Sequence, residues 1–244
     1  LGKQSSKKKR RGDRMVTSAE IIAFAGTKFS AARTLPPIAP LNAAQAAYLE
    51  ALRTSAQVVV VGPAGTGKTW IAATYAADLY RTRRVSRIVL TRPNVPCGRS
   101  LGFFPGSLEE KFAPWAAPLV DAIKERIGKA AFDIALKNGD IEMVPFEVMR
   151  GRSWKDAFVL LDEAQNTTPA EMKMFLTRVG EGCITVVDGD IGQCDLDAGS
   201  GLRAVIALIR ARGLPVPVIE FGRGDIVRSG QCAMWVEAFE DAAL

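Results

Sequence analysis

A three-layer α/β domain, with helices on both faces of a mostly parallel sheet, is the fold this sequence predicts, and three observations predict it. Six apolar runs of strand length recur at 58–61, 88–91, 141–144, 158–161, 184–187 and 216–221. Helical patterns alternate with them, and each run is short, β-branched or leucine-rich and apolar on both faces, as strands covered by helices on both sides are. A glycine-rich segment ending in Gly67-Lys68-Thr69 follows the first run, and two carboxylates, Asp162 and Glu163, follow the fourth.

In chain order, residues 1–14 carry seven basic side chains against one acidic, so the whole formal charge of +6 lies there. Such a run repels itself and cannot bury apolar surface, so residues 1–16 are expected to form a flexible basic arm. It reads either as an electrostatic tether for nucleic acid or as a solubilising tail. Residues 17–40 end in a proline cluster and read as a linker, which leaves 41–244 for the folded domain. A first helix is expected at 42–52, with Asn42 as its N-cap and Ala46, Leu49 and Leu52 on one stripe. Further helices are expected at Lys68–Arg81, at 108–138 with breaks at Pro114, Pro118 and Gly128, at 169–179, at Gly201–Arg212 and at 231–242. No internal repeat is present.

Composition removes several function classes. The 244 residues are 48% hydrophobic and 24% charged, which is ordinary for a globular chain and excludes disorder throughout. No stretch approaches the roughly 18 apolar residues of a membrane span, and no apolar core of a secretory signal follows the basic start, so a cytoplasmic protein without membrane contact is expected. Histidine is absent, which excludes Ser-His-Asp and Cys-His nucleophiles and His-ligated zinc. Cys97, Cys183, Cys194 and Cys232 form no C-x-x-C pair; Cys183 and Cys194 read as core packing. Chemistry must therefore run on carboxylates, Lys, Arg, Gln or a hard metal.

Gly62-Pro63-Ala64-Gly65-Thr66-Gly67-Lys68-Thr69 satisfies G-x-x-x-x-G-K-[ST] between an expected strand and an expected helix. Glycines let the backbone turn tightly and offer N–H groups to phosphate oxygens, and the helix points its positive end at the same place. Lys68 is expected to reach the β- and γ-phosphates and Thr69 to ligate Mg2+. Asp162 is expected to hold the metal, usually through water, and Glu163 to orient and deprotonate the attacking water. An acidic helix cap is the plainer alternative for Asp162 and Glu163, but the lysine loop weakens it.

The segment Asp162-Glu163-Ala164-Gln165-Asn166-Thr167-Thr168, continuing through 172–180 to Asp188-Gly189-Asp190-Ile191-Gly192-Gln193, resembles the PhoH family, ATPases similar to the motor core of superfamily-one helicases. The likeness runs from Leu41 to the C-terminus and implies a RecA-like P-loop NTPase. On this resemblance, Gln45 in Leu41-Asn42-x-x-Gln45 would pair with adenine, and Gln193 would sense the γ-phosphate. Thr91-Arg92-Pro93, 101–106 and 149–152 resemble further family segments. Asp225-Ile226-Val227-Arg228-Ser229 resembles a late signature in which Ser229 stands where histidine is expected. Family membership implies an ATP-dependent role near RNA or other nucleic acid, and a homo-oligomeric ring, a hexamer.

Helicases of this type complete their site with arginines from a second motor domain, and this chain has room for one. An arginine finger would then come in trans, with Arg228 the candidate and Arg178 the alternative, and with Arg150 and Arg152 also eligible. Arg92, Arg99, Arg150 and Arg152 are the candidates for nucleic-acid contact. Phe103, Phe104, Phe112 and Trp115 could stack bases, but packing is the preferred reading. The function expected is Mg2+-dependent ATP hydrolysis coupled to RNA or single-stranded nucleic acid. The alternatives are a nucleotide-gated ring in which turnover is incidental, and a small-molecule kinase, which the resemblance disfavours.

Overall fold

The computed structural model describes residues 35–93, 108–149, 151–194, 196, 199–227 and 234. Two compact units, Leu1–Pro36 and Pro37–Leu244, divide the chain, and all elements below belong to the second. The basic arm and, apart from Met234, the expected helix at 231–242 lie outside the described residues.

Six strands form one sheet: β1 (Gln57–Val61), β2 (Arg87–Arg92), β3 (Ile141–Pro145), β4 (Ala157–Leu161), β5 (Ile184–Gly189) and β6 (Val218–Glu220). Their order is β3-β2-β4-β5-β1-β6, and every neighbouring pair is parallel. The helices are α1 (Ala43–Thr54), α2 (Lys68–Arg81), α3 (Leu108–Ile127), α4 (Lys129–Asn138), α5 (Pro169–Leu176) and α6 (Gly201–Arg212). The expected three-layer α/β fold is therefore present, with all six strands where the apolar runs place them.

Strand side chains alternate between two cores. Val58, Val60, Ile88, Leu90, Phe158 and Leu160 pack with α1, α2, α3 and α4, whereas Val59, Val61, Val89, Val159 and Leu161 pack with α5 and α6. Both faces being covered, apolar residues are needed on both sides of each strand, which is why the sequence shows mainly apolar runs and not strict alternation. Truncating a side chain such as the fully buried Phe158 to alanine would cost about 3–5 kcal/mol.

Helix ends follow local chemistry. Asn42 caps α1, its Oδ1 accepting the Gln45 N–H at 2.8 Å. Thr168 and Glu171 cap α5 reciprocally, with Pro169 in the first turn. α5 stops at Leu176, short of the expected 179, because the backbone of 178–180 turns aside to pair with Trp154. Contrary to expectation, α3 runs through Pro114 and Pro118 and ends only before Gly128, whose φ is +85°. Ala116, Leu119, Val120 and Ile123 of α3 are buried in the core shared with α2, and Arg126 clamps Asp78 of α2 at 2.6 and 2.8 Å. Pro118 lies on the exposed side, where water can satisfy the carbonyl it leaves without a donor, so tertiary burial outweighs the proline cost of about 3 kcal/mol.

The strand order fixes the place of the site. β5 lies between β1 and β4, so the loop after β1 and the carboxylates after β4 and at the end of β5 meet at the C-terminal edge of the sheet. Among the described residues, no helix is long and apolar enough to cross a membrane.

Candidate functional site

The turn out of β1 requires glycine. Gly62 has φ +148°, its N–H donates to the Gly189 carbonyl at 3.2 Å, and a Cβ there would stand 2.5 Å from the Phe221 carbonyl oxygen. Gly67, with φ +86°, forms the N-cap of α2. Lys68 follows, and its Nζ donates to the carbonyls of Gly62 at 2.8 Å and Pro63 at 3.0 Å, so the ammonium lies folded over the loop.

Two distant segments hold this loop from behind. Gln45, only 3% exposed, donates its amide nitrogen to the Thr66 carbonyl at 3.0 Å, while its amide oxygen accepts the Leu41 N–H at 2.8 Å. The Gly65 carbonyl accepts the Val227 N–H at 2.9 Å, and Asn42 Nδ2 donates to the Asp225 carbonyl at 3.3 Å. Gln45 thus braces the phosphate loop directly.

Two buried carboxylates converge on Thr69. Its Oγ1 donates to Asp188 Oδ2 at 2.7 Å, with Asp162 Oδ1 at 3.3 Å, and Lys68 Nζ lies 4.0 Å from Asp188 Oδ1. Burial, reinforced by the charge of Asp162, pushes the Asp188 carboxyl up to about 7 against the pull of Lys68 and Thr69. Burial and the neighbouring Glu163 likewise raise Asp162 to about 6, against the pull of Arg92 and Thr69. Desolvated, mutually repelling carboxylates beside a hydroxyl and a lysine suit a divalent cation brought in with phosphates. No cluster of three His, Cys, Asp or Glu forms a metal cage among the described residues. A hard ion here would complete its shell with water and phosphate oxygens, which is the habit of Mg2+.

Glu163 has left-handed backbone, φ +52° and ψ +39°, which costs a non-glycine residue about 1–3 kcal/mol. Arg92 spans Asp162 at 3.7 Å and Glu163 at 3.4 Å, and the Gln165 amide donates to Glu163 Oε2. The amide oxygen of the buried Gln165 accepts the Asp190 N–H at 2.9 Å. Asp190 in turn accepts from the Gly192 N–H at 2.9 Å and from Gln193 Nε2 at 2.8 Å. A Cβ on Gly189 would stand 2.6 Å from Gln165 Oε1, so glycine is what lets this bridge form.

Together these groups line a cavity of about 290 Å³ that includes Lys68, Thr69, Asp162, Glu163, Asp188 and Gln193, with Trp70 and Pro118 adding apolar wall. Ala64, Gly65 and Gly67 of the loop reach it as well.

The other candidates fall elsewhere. Arg152 pairs with Glu142 at 2.8 Å, sharing it with Arg87 at 2.6 Å, and Arg178 Nη1 reaches the Arg152 carbonyl at 3.5 Å. Both arginines sit on segments leading into β4 and β5, at the far end of the strands from the carboxylates. Arg99, Arg150, Arg228, Phe103 and Phe104, and the side chains of Phe112 and Trp115, lie outside the described residues. The Cys183 thiol is buried, donating to the Trp154 carbonyl at 3.3 Å, and Cys194 is half-buried against the Gln165 carbonyl at 3.4 Å. Asp188 and Gln165 are site residues that the motif reading did not single out. The available signal for Asp188 was a carboxylate directly after an apolar strand run, the pattern that singled out Asp162.

The family described as PhoH-like protein matches residues 37–240 of the chain. The chain is 39% identical over 247 residues to "Protein PhoH" of Escherichia coli (strain K12), covering 98% of this chain and 69% of that protein. It is 42% identical over 197 residues to the PhoH-like protein of Bacillus subtilis (strain 168), covering 80% and 62%. Over 204 residues it is 42% identical to the PhoH-like protein of Mycobacterium tuberculosis (strain ATCC 25618 / H37Rv), covering 83% and 58%. The chain thus spans less than two thirds of the latter two relatives.

Proposed function

The chain belongs to the PhoH-like protein family, a P-loop NTPase family, and from that premise we propose that it binds ATP with Mg2+ and hydrolyses it, coupled to RNA or single-stranded nucleic acid. The observation that carries this reading is the convergence of Lys68, Thr69, Asp162 and Glu163 on one cavity at the mouth of a glycine loop.

Bound Mg2+ would neutralise charge on the β- and γ-phosphate oxygens, held by Thr69 and, through water, by Asp162. The loop from Gly62 to Thr69 cradles the phosphates, and Lys68 exchanges the Gly62 and Pro63 carbonyls for phosphate oxygens. Glu163, oriented by Arg92 and Gln165, accepts the proton of the attacking water. Gln193 leaves Asp190 to meet the γ-phosphate. The finger comes from a neighbouring copy in a head-to-tail ring, a hexamer, through Arg228 or alternatively Arg178. Arg178 and Arg152 stand at the far end of the strands from the cavity, so only a neighbour's copy could bring either to it. Arg99, Arg150 and Arg152, with the basic arm, supply contacts to a nucleic-acid backbone, whereas Arg92 serves the two carboxylates.

The test is steady-state phosphate release from ATP by wild type and Glu163→Gln, with and without single-stranded RNA or DNA, at two salt concentrations. A Glu163-dependent rate that nucleic acid stimulates and salt suppresses supports the proposal. ATP binding without turnover in the wild type would replace it with the nucleotide-gated ring.

A further inference from the structure

Asp188 stands behind both side chains that the phosphate loop offers to a nucleotide. Its Oδ2 accepts the Thr69 hydroxyl at 2.7 Å, and its Oδ1 lies 4.0 Å from Lys68 Nζ. The side chain is 1% exposed, so water does not compete for these partners. Sheet register produces the arrangement. Asp188 is level with Val60 of β1, and Val187 is level with Leu161, the residue before Asp162. Two carboxylates at the ends of adjacent strands therefore flank one hydroxyl.

A hydroxyl has one hydrogen and two lone pairs. Asp188 takes the hydrogen, since Asp162 Oδ1 is the more distant acceptor at 3.3 Å. An oxygen that ligates a cation uses a lone pair, and its hydrogen then needs an acceptor on the opposite side. Asp188 is that acceptor, and it comes from an element separate from the loop.

We propose that Asp188 is a positioning residue for the metal-bound nucleotide, fixing Thr69 so that its oxygen faces the cavity and holding Lys68 at the loop until phosphate draws it forward. The inference rests on the Mg-ATP reading above. It assigns Asp188 no direct bond to the metal; the residue acts through Thr69, as outer-shell acceptors act through the ligands they orient. Asparagine can accept the same hydrogen bond without the charge, whereas alanine and leucine cannot.

The experiment titrates Mn2+ by electron paramagnetic resonance in the presence of the β,γ-imido analogue of ATP. It uses the full chain as wild type, Asp188→Asn, Asp188→Ala and Asp188→Leu; leucine fills the space if the alanine cavity prevents folding. Asp188→Asn should keep Mn2+ affinity to within roughly threefold, while the alanine and leucine variants lose about 10–100-fold, the cost expected of removing an outer-shell partner. Affinity for the analogue in chelator should not fall in any variant, because a buried carboxylate only repels phosphate when no cation lies between them. Wild-type Mn2+ affinity in the alanine and leucine variants overturns the proposal, as does a loss in asparagine equal to that in alanine. Absence of Mn2+–analogue binding by the wild type instead overturns the nucleotide reading itself.

Discussion

Gln165 accepts the Asp190 N–H at 2.9 Å on the same side-chain amide that donates to the Glu163 carboxylate. One buried amide therefore links the candidate general base at the end of β4 to the segment after β5 that carries Gln193. Because Asp190 also holds the Gln193 amide at 2.8 Å, displacement of Gln193 by a γ-phosphate would be felt at Glu163 through the hydrogen-bonded chain of Asp190 and Gln165.

Gln165→Ala is expected to lower kcat by about 10–100-fold, a large part of what a well-placed general base contributes. Nucleotide affinity should change little, since Gln165 touches neither the loop nor Thr69. The unpaired Asp190 N–H should cost about 1–3 kcal/mol of stability. Single-turnover hydrolysis and nucleotide titration on one preparation check both halves. An equal loss of binding and of rate would show that Gln165 shapes the whole pocket and not the base alone.

Asp162 and Asp188 make the metal-free, nucleotide-free protein pH-sensitive. Their carboxyls stand at about 6 and about 7 in the fold against 3.8 for an ordinary aspartate, raised mainly by burial. A carboxyl that binds its proton more tightly when folded contributes stability below its unfolded pKa and loses it as pH rises through the folded one. Stability should therefore fall between pH 5 and pH 8. At about 2–4 °C per kcal/mol for a domain of this size, the Tm should drop by on the order of 10 °C. Asp188→Asn should flatten the slope, and Mg2+ with the imido analogue should restore the wild type most at pH 8. Thermal melts at three pH values check this; an unchanged slope in Asp188→Asn would place its origin elsewhere.

Strands and phosphate loop were legible because each depends on local sequence: mainly apolar runs mark a sheet buried on both faces, and the glycine-lysine motif marks a loop between strand and helix. Asp188 and Gln165 were not legible because their roles depend on lateral neighbours. Asp188 matters only because β5 lies between β1 and β4, and Gln165 only because Gly189 leaves it room. Pro118 misled for a related reason, since its cost is local while the burial of Leu119 and Ile123 that offsets it is tertiary. Gln45 was found by resemblance, but its hydrogen bond to Thr66 required the fold.

Gly62→Ala tests how closely the loop is fitted. The added methyl would stand 2.5 Å from the Phe221 carbonyl oxygen and 2.6 Å from its Cβ, at a backbone φ of +148°. The Phe221 oxygen belongs to the backbone and cannot rotate away, so β6 must shift from β1. The expected cost is about 1–3 kcal/mol of stability, the usual penalty for overpacking. Weaker ATP binding should accompany it, because Lys68 leans on the Gly62 carbonyl at 2.8 Å. Denaturant titration and nucleotide binding measure the two effects, and a variant with wild-type values in both would mean that β6 yields without strain.

Gln45→Glu separates bracing of the loop from reading of the base. In the fold the amide nitrogen donates to Thr66 and the amide oxygen accepts from Leu41, with almost no solvent contact. Glutamate keeps the acceptor but replaces the donor with a second oxygen facing the Thr66 carbonyl, and it buries a charge. The loop should loosen, and affinity for ATP and GTP should fall together, by about tenfold for a loss of some 1.4 kcal/mol. If Gln45 instead contributes chiefly by pairing with adenine, ATP affinity should fall while GTP affinity holds. Parallel titrations of the two nucleotides, with Asn42→Ala as a second variant that removes both the adjoining Asp225 contact and the cap of α1, decide between these outcomes. A parallel loss in both variants would make the clasp of 41–45 and 225–227 on the loop the determinant of nucleotide binding.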